Sequence, residues 1–190
     1  MALKHSGINH SRLFSRRLAE AITLLEGKHK LGCALLHLPD DLATKIHNLS
    51  AEIADKDLTD KGIEDEPHTT ALYGFTDDDP AAIKKLIKGF GEIEIEIGEC
   101  SLFENDDADV IKFEVKSQKL HKLNKLLATL PHENTHPDYK PHITIAYVKS
   151  GKGQRYLDEL DTGSITGKTA ILRTLTFSPA DGNKQQIDLI

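Results

Sequence analysis

Tryptophan is absent from this chain of 190 residues, methionine occurs once, and the aromatic residues together make up 5% of it. Nucleobase stacking draws on aromatic rings, so such a surface has few sources here, and Phe103, Tyr139 and Tyr156 stand as equal candidates. Cysteine is scarce too. Cys33 and Cys100 lie 67 positions apart with neither C-x-x-C nor metal-ligand spacing, which excludes a disulfide scaffold and makes reduced thiols in a cytoplasm the expectation. No apolar run approaches the ~18 residues of a membrane span, and Ala2-Leu3-Lys4-His5-Ser6-Gly7 supplies no signal-peptide core. A membrane partner and secretion are therefore not expected. Excess positive charge is also missing: the formal net charge of −6 argues against a protein that coats duplex DNA. With 28% charged and 38% hydrophobic residues and a mean hydropathy of −0.38, the composition is that of a folded domain with a core of its own.

The charge is unevenly placed. Glu52 to Glu66 holds seven acids against two lysines, and Glu92 to Asp109 eight acids and no base. Lys112 to Arg155 reverses the balance with nine bases against three acids, a local positive region able to receive an anionic substrate.

Periodicity predicts an α+β fold. Ile8 to Glu26 carries an apolar stripe of helical spacing and reads as an N-terminal helical extension over 1–31, ahead of one domain over 32–190. Gly32 to Leu38 reads as a strand, and Pro39-Asp40-Asp41 opens a helix to about Ala54. The acidic stretch Asp55 to Glu66 reads as a loop. His68 to Phe75 is a strand, and Asp79-Pro80 starts a helix to about Lys88. Glu92 to Ile97 alternates glutamate with isoleucine as a strand with one wet face does, and Asp109 to Val115 follows as its neighbour. Ser117 caps a helix to about Leu130, Pro131 to Pro141 is a loop, and His142 to Val148 is a strand. A short helix after Gly153 and two or three strands around Asp181-Gly182-Asn183 complete the chain.

Two of these strands repeat each other. Pro67-His68-Thr69-Thr70-Ala71-Leu72-Tyr73 and Pro141-His142-Ile143-Thr144-Ile145-Ala146-Tyr147 are both P-H-x-T-x-x-Y and begin 74 residues apart. The residues they share are the reactive ones. Strand parity places His68 with Thr70 and His142 with Thr144 on one face, and sends Tyr73 and Tyr147 to the other face as packing residues. Side by side, the strands line a cleft with two imidazoles and two hydroxyls. One imidazole can take a proton from an attacking oxygen while the other protonates a leaving oxygen, and the threonines can hold a phosphate between them. This chemistry needs no metal and no cofactor.

His68-Thr69-Thr70 and His142-Ile143-Thr144 resemble the paired H-x-T/S motifs of the two-histidine (2H) phosphoesterases, which include the 2′-5′ RNA ligase-like and cyclic phosphodiesterase proteins. The resemblance spans Gly32 to about Phe177. It implies a bilobal α+β fold in which two antiparallel sheets form a central cleft with helices outside, and catalysis by His68, Thr70, His142 and Thr144. Pro67 to Gly74, His136 to Val148 and the run Lys149-Ser150-Gly151-Lys152-Gly153 further resemble a phage branch that cleaves the cyclic oligonucleotide signals of bacterial CBASS immunity. The phage likeness implies a cyclic nucleotide substrate and action in the cytoplasm of a host, and the wider family likeness implies an RNA-end substrate as the alternative. Around the motifs, His136, Tyr139, Lys140, Lys149 and Lys152 are the candidate substrate-binding residues. His132, His136 and His142 with Asp138 invite a zinc reading, but Pro131 and Pro137 bracket the first pair, and His142 already has a role in the repeat.

Overall fold

The computed structural model describes residues 31–134 and 138–190. The expected N-terminal helix and the candidate His136 lie outside these residues. Described elements run β1 (Gly32–His37), α1 (Asp40–Ser50), a 3-10 turn (Asp55–Asp57), β2 (Leu58–Ile63), β3 (His68–Phe75), α2 (Pro80–Ile87) and β4 (Ile93–Glu104). They continue with β5 (Ala108–Lys116), α3 (Gln118–Leu127), β6 (His142–Lys149), α4 (Gly153–Glu159), β7 (Thr169–Leu172), β8 (Thr174–Ser178) and β9 (Gln185–Asp188). No described helix is long and apolar enough to cross a membrane.

Local chemistry accounts for the helix starts. The Asp79 carboxylate accepts from the Ala81 amide at 2.9 Å with Pro80 as first helical residue, and the Ser117 hydroxyl accepts from the Leu120 amide at 3.2 Å. Two expectations need correction. Asp55 to Glu66 is not all loop, because Leu58–Ile63 forms β2, an irregular strand held to β6 by Leu58↔Val148 and Ile63↔Ala146. Its polar residues and left-handed Gly62 (φ 67°) carry no strand pattern, so the pairing is imposed by the neighbour. The Glu92 strand also runs on to Glu104, past the point where glutamate–isoleucine alternation ends.

All strand pairs are antiparallel. The order is β7-β4-β5-β6-β3-β1-β8-β9, with β2 also on β6. The two expected sheets are thus two halves of one sheet, β7-β4-β5-β6 and β3-β1-β8-β9, joined where Thr69 pairs with Ile143. The two histidine strands are the strands at that junction. Behind them the helices are exchanged. α1, which precedes β3, packs on β6, whereas α3, which precedes β6, packs on β3. Leu120, Leu123 and Leu127 of α3 and Ile111, Phe113 and Val115 of β5 are buried in the core on this side, leaving the opposite sheet face for the site.

Candidate active site

Antiparallel register builds the centre. With Thr69 opposite Ile143, continuing one residue each way sets His68 across from Thr144 and Thr70 across from His142. Directly opposed residues share a face with Cα atoms ~5 Å apart, so each histidine of one motif neighbours the threonine of the other. The intervening Thr69 and Ile143 are fully buried on the helix side.

Both rings are oriented in the same way. His68 Nδ1 lies 2.7 Å from the Glu66 carbonyl, and His142 Nδ1 lies 2.8 Å from the Lys140 carbonyl, in each case the residue two positions earlier. A carbonyl only accepts, so the proton of each neutral ring sits on Nδ1 and the basic lone pair on Nε2. The prolines of the repeat, Pro67 and Pro141, lie between carbonyl and ring. Their own carbonyls take the Leu38 and Val115 amides, both at 3.0 Å, and so fix the approach to each strand.

Each motif strand also carries a β-bulge at the residue after its threonine. In β3, Thr70 pairs with Leu35 and Leu72 with Ala34, leaving Ala71 extra. In β6, Thr144 pairs with Lys112 and Ala146 with Ile111, leaving Ile145 extra. A bulge shifts the alternation by one residue. Tyr73 and Tyr147 therefore fall on the same face as the histidines, not on the opposite face that strict parity predicts. Tyr147 accordingly lies beside the Thr144 side chain, and burial raises its pKa. The bulge carbonyls are taken by groups from across the molecule. Asn124 Nδ2 of α3 donates to the Ala71 carbonyl at 2.7 Å, and the Glu64 amide, just past β2, donates to the Ile145 carbonyl at 3.0 Å.

The surroundings of the two histidines differ. His68 has the Glu64 carboxylate 3.9 Å from Nδ1 and packs edge-on to His37, its β1 partner, with ring centroids 5.8 Å apart. Burial first, and then the proximity of His68, push the His37 pKa down. His142 packs edge-on to Phe103 at 4.9 Å and faces Glu114 across the β5–β6 pair.

A scan against family models matches residues 38–164 to the 2′-5′ RNA ligase superfamily. The chain belongs to that superfamily, the two-histidine phosphoesterases, and is an enzyme of that type. Among solved structures it is similar to TT0787 of Thermus thermophilus, at 13% identity and TM-score 0.60 over 84% of this chain and 97% of that one. It is also similar to E. coli LigT complexed with 3′-AMP, at 13% identity and TM-score 0.53 over 85% and 95%. A third similar structure is Kluyveromyces marxianus Usb1 with uridine monophosphate, at 9% identity and TM-score 0.50 over 85% and 99%. At such identities these likenesses speak for the fold. No curated protein matches the chain in sequence.

The remaining candidates of this superfamily member are scattered. Tyr139 is half-buried, and its hydroxyl donates to the Thr70 carbonyl at 2.8 Å, so it straps the first motif strand. Lys140 is exposed and contributes its carbonyl to His142. Lys149 ends β6, seven residues and therefore roughly 23 Å of strand beyond His142, and its ammonium donates to the Lys56 carbonyl at 2.8 Å. Lys152 caps α4 beyond that same end. Neither is brought to the histidine–threonine cluster. Of the aromatic candidates, Tyr156 is buried and donates to Asp57 at 2.8 Å, which leaves Phe103 against the face of the two histidines.

Sequence reasoning missed Lys112. It is the cross-strand partner of Thr144 and only 5% exposed. Its ammonium donates to Ser101 Oγ at 2.7 Å and lies over the Phe103 ring, 4.2 Å from the centroid. The alternating pattern of β5 marks it as an outward residue, and nothing in the sequence says that Phe103 and Ser101 cover it.

Proposed function

We propose that this phosphoesterase cleaves RNA-type 3′-5′ linkages in cyclic nucleotides by acid–base catalysis between His68 and His142, without a metal. The observation that carries the reading is the matched tautomer of the two rings, which places a basic Nε2 on each side of a threonine pair. One Nε2 takes the proton of a ribose 2′-hydroxyl, whose oxygen attacks the adjacent phosphorus. The P–O5′ bond breaks, and the other ring, entering as imidazolium, gives its Nε2 proton to the leaving oxygen. Thr70 and Thr144 donate to the non-bridging oxygens and hold attack and departure in line. The product is a 2′,3′-cyclic phosphate, which water opens by the same exchange with the roles of the rings reversed.

Among the described residues the hydroxyls beside the two histidines are those of Thr70 and Thr144, which the mechanism engages with the non-bridging oxygens, so the substrate's own 2′-hydroxyl is taken as the attacker. The likeness of both motif regions to the phage branch favours a cyclic oligonucleotide signal of antiphage immunity. A second reading, opening of 2′,3′-cyclic phosphates at RNA ends, uses the same residues, and similar folds bound to 3′-AMP and to uridine monophosphate favour it. Capture of a nucleotide without turnover is the alternative of another class.

The test is turnover of 3′-5′ cyclic di- and trinucleotides, their 2′-deoxy counterparts and 2′,3′-cyclic mononucleotides, with EDTA present. Ribose substrates should be cleaved and deoxy ones left intact. His68→Ala and His142→Ala should each abolish turnover while ligand affinity stays within about tenfold. Efficient deoxy cleavage refutes the 2′-hydroxyl mechanism, and turnover surviving both single substitutions refutes the assignment of the histidines.

A further inference from the structure

A phosphodiester carries one negative charge, and a second develops on its non-bridging oxygens as the attacking oxygen adds. His68, Thr70, His142 and Thr144 hold no permanent cation, and the imidazolium spends its charge by giving up its proton. Preorganised positive charge aimed at those oxygens is the largest single contribution available to such a site.

Lys112 stands where that charge is required. It is directly opposite Thr144, so its side chain leaves the strand on the face of His142 and Thr144. An ammonium this deeply covered normally has a carboxylate partner, since burying an isolated cation is costly. Among the described residues no carboxylate pairs with Lys112. Its contacts are the Ser101 hydroxyl and the face of Phe103, the ring that lies T-shaped against His142. Ser101 and Val110 hold these groups in register, since β4 pairs Ser101 with Lys112 and Phe103 with Val110. Of the three ammonium protons, one is committed to Ser101 and one side lies against the ring, which leaves donor capacity toward the cleft. Burial pushes the Lys112 pKa down and the charge of Lys140 adds to that, outweighing Glu114 and Cys100, which act to raise it. The second lysine adds to a positive field at this end of the site.

We infer that Lys112 is the anion-binding cation of the site, and that its ammonium contacts a non-bridging oxygen of the substrate phosphate beside Thr144. This rests on the proposed function for the identity of the substrate, but not for the affinity of the site for phosphate. Phe103 then serves as the pedestal of the lysine, with one of its two ring faces taken up by the ammonium. No lysine stands at the equivalent place in the other half, where Leu35 faces Thr70, so the phosphate charge is drawn to the His142 side.

The test compares wild type with Lys112→Met in three measurements: kcat/KM on a 2′,3′-cyclic mononucleotide, calorimetric affinity for inorganic phosphate, and Tm. Lys112→Met should lose at least about 100-fold in kcat/KM and at least about tenfold in phosphate affinity. Its Tm should hold or rise, because a buried cation without a carboxylate is exchanged for an apolar side chain of similar length. Unchanged phosphate affinity in the variant overturns the inference, whether or not activity falls. A lowered Tm with parallel loss of both other quantities also overturns it, since that is the pattern of a scaffold residue. If wild type turns over none of the cyclic phosphates, the proposed function fails separately and phosphate affinity alone decides the role of Lys112. Absence of phosphate binding in wild type then counts against it.

Discussion

Asn124 is on the helix side of the sheet, away from the face of His68 and His142, yet its replacement should be felt at Thr70. Its amide donates to the Ala71 carbonyl at 2.7 Å, and Tyr139 donates to the neighbouring Thr70 carbonyl at 2.8 Å. Ala71 is fully buried, so Asn124→Leu leaves a carbonyl without that partner, at a cost of about 1–3 kcal/mol. A loss near 2 kcal/mol lowers Tm by about 4–8 °C in a chain of this size. Relaxation of the bulge moves the threonine next to it, and a displacement of ~1 Å in a positioning group costs up to roughly 100-fold in rate. Because the two clamps act on adjacent carbonyls, Asn124→Leu and Tyr139→Phe should not add. Their double variant should depart from the sum by about 0.5 kcal/mol or more. Urea melts and kcat on a 2′,3′-cyclic mononucleotide, measured on the four proteins of the cycle, report both effects. An Asn124→Leu protein within about 0.5 kcal/mol of wild type and with unchanged kcat would refute the bulge as a device that places Thr70.

A mechanism with one neutral and one charged imidazole gives a bell-shaped rate profile whose limbs belong to the coupled pair; a rate rising steadily from pH 5 to 9 contradicts it. His37 has its folded-state pKa pushed below the ordinary 6.5 by burial, with help from His68 and Lys184 and against the opposing pull of Glu66, so the unfolded chain binds the proton first. Its contribution to stability is therefore complete above about pH 6.5 and is lost as pH falls toward the folded value, and His37→Asn should flatten the acid limb of a stability–pH curve measured by urea melts. Gly74 has φ 111°, and a Cβ there would run into the Glu133 carbonyl, so Gly74→Ala should cost well over about 1 kcal/mol in a denaturant melt. A melt within about 0.5 kcal/mol of wild type would show that the Glu133 segment gives way.

The duplicated motif is readable from sequence because its identities and strand signal coincide, and parity places His68, Thr70, His142 and Thr144 together. Parity fails at Tyr73 and Tyr147, one bulge further on, because an extra residue in a ladder leaves no mark in an apolar run such as Thr-Ile-Ala-Tyr. Chain proximity misleads in the other direction at Lys149 and Lys152, since a strand carries its two ends far apart. β2 is illegible for want of alternation. Lys112 is legible as an outward residue but not as a covered one, because its cover comes from β4.

The exchanged helices and bulge clamps mean that neither half of this chain finishes its own histidine strand. α3 completes the shape of β3, the segment after β2 completes that of β6, and β8 returns from the end of the chain to flank β1. A cut near Gly89 would therefore yield two incomplete pieces, with neither one a functioning half-site. A single unit with this motif would need a second copy of itself to supply both the missing histidine and the clamp that bends its strand.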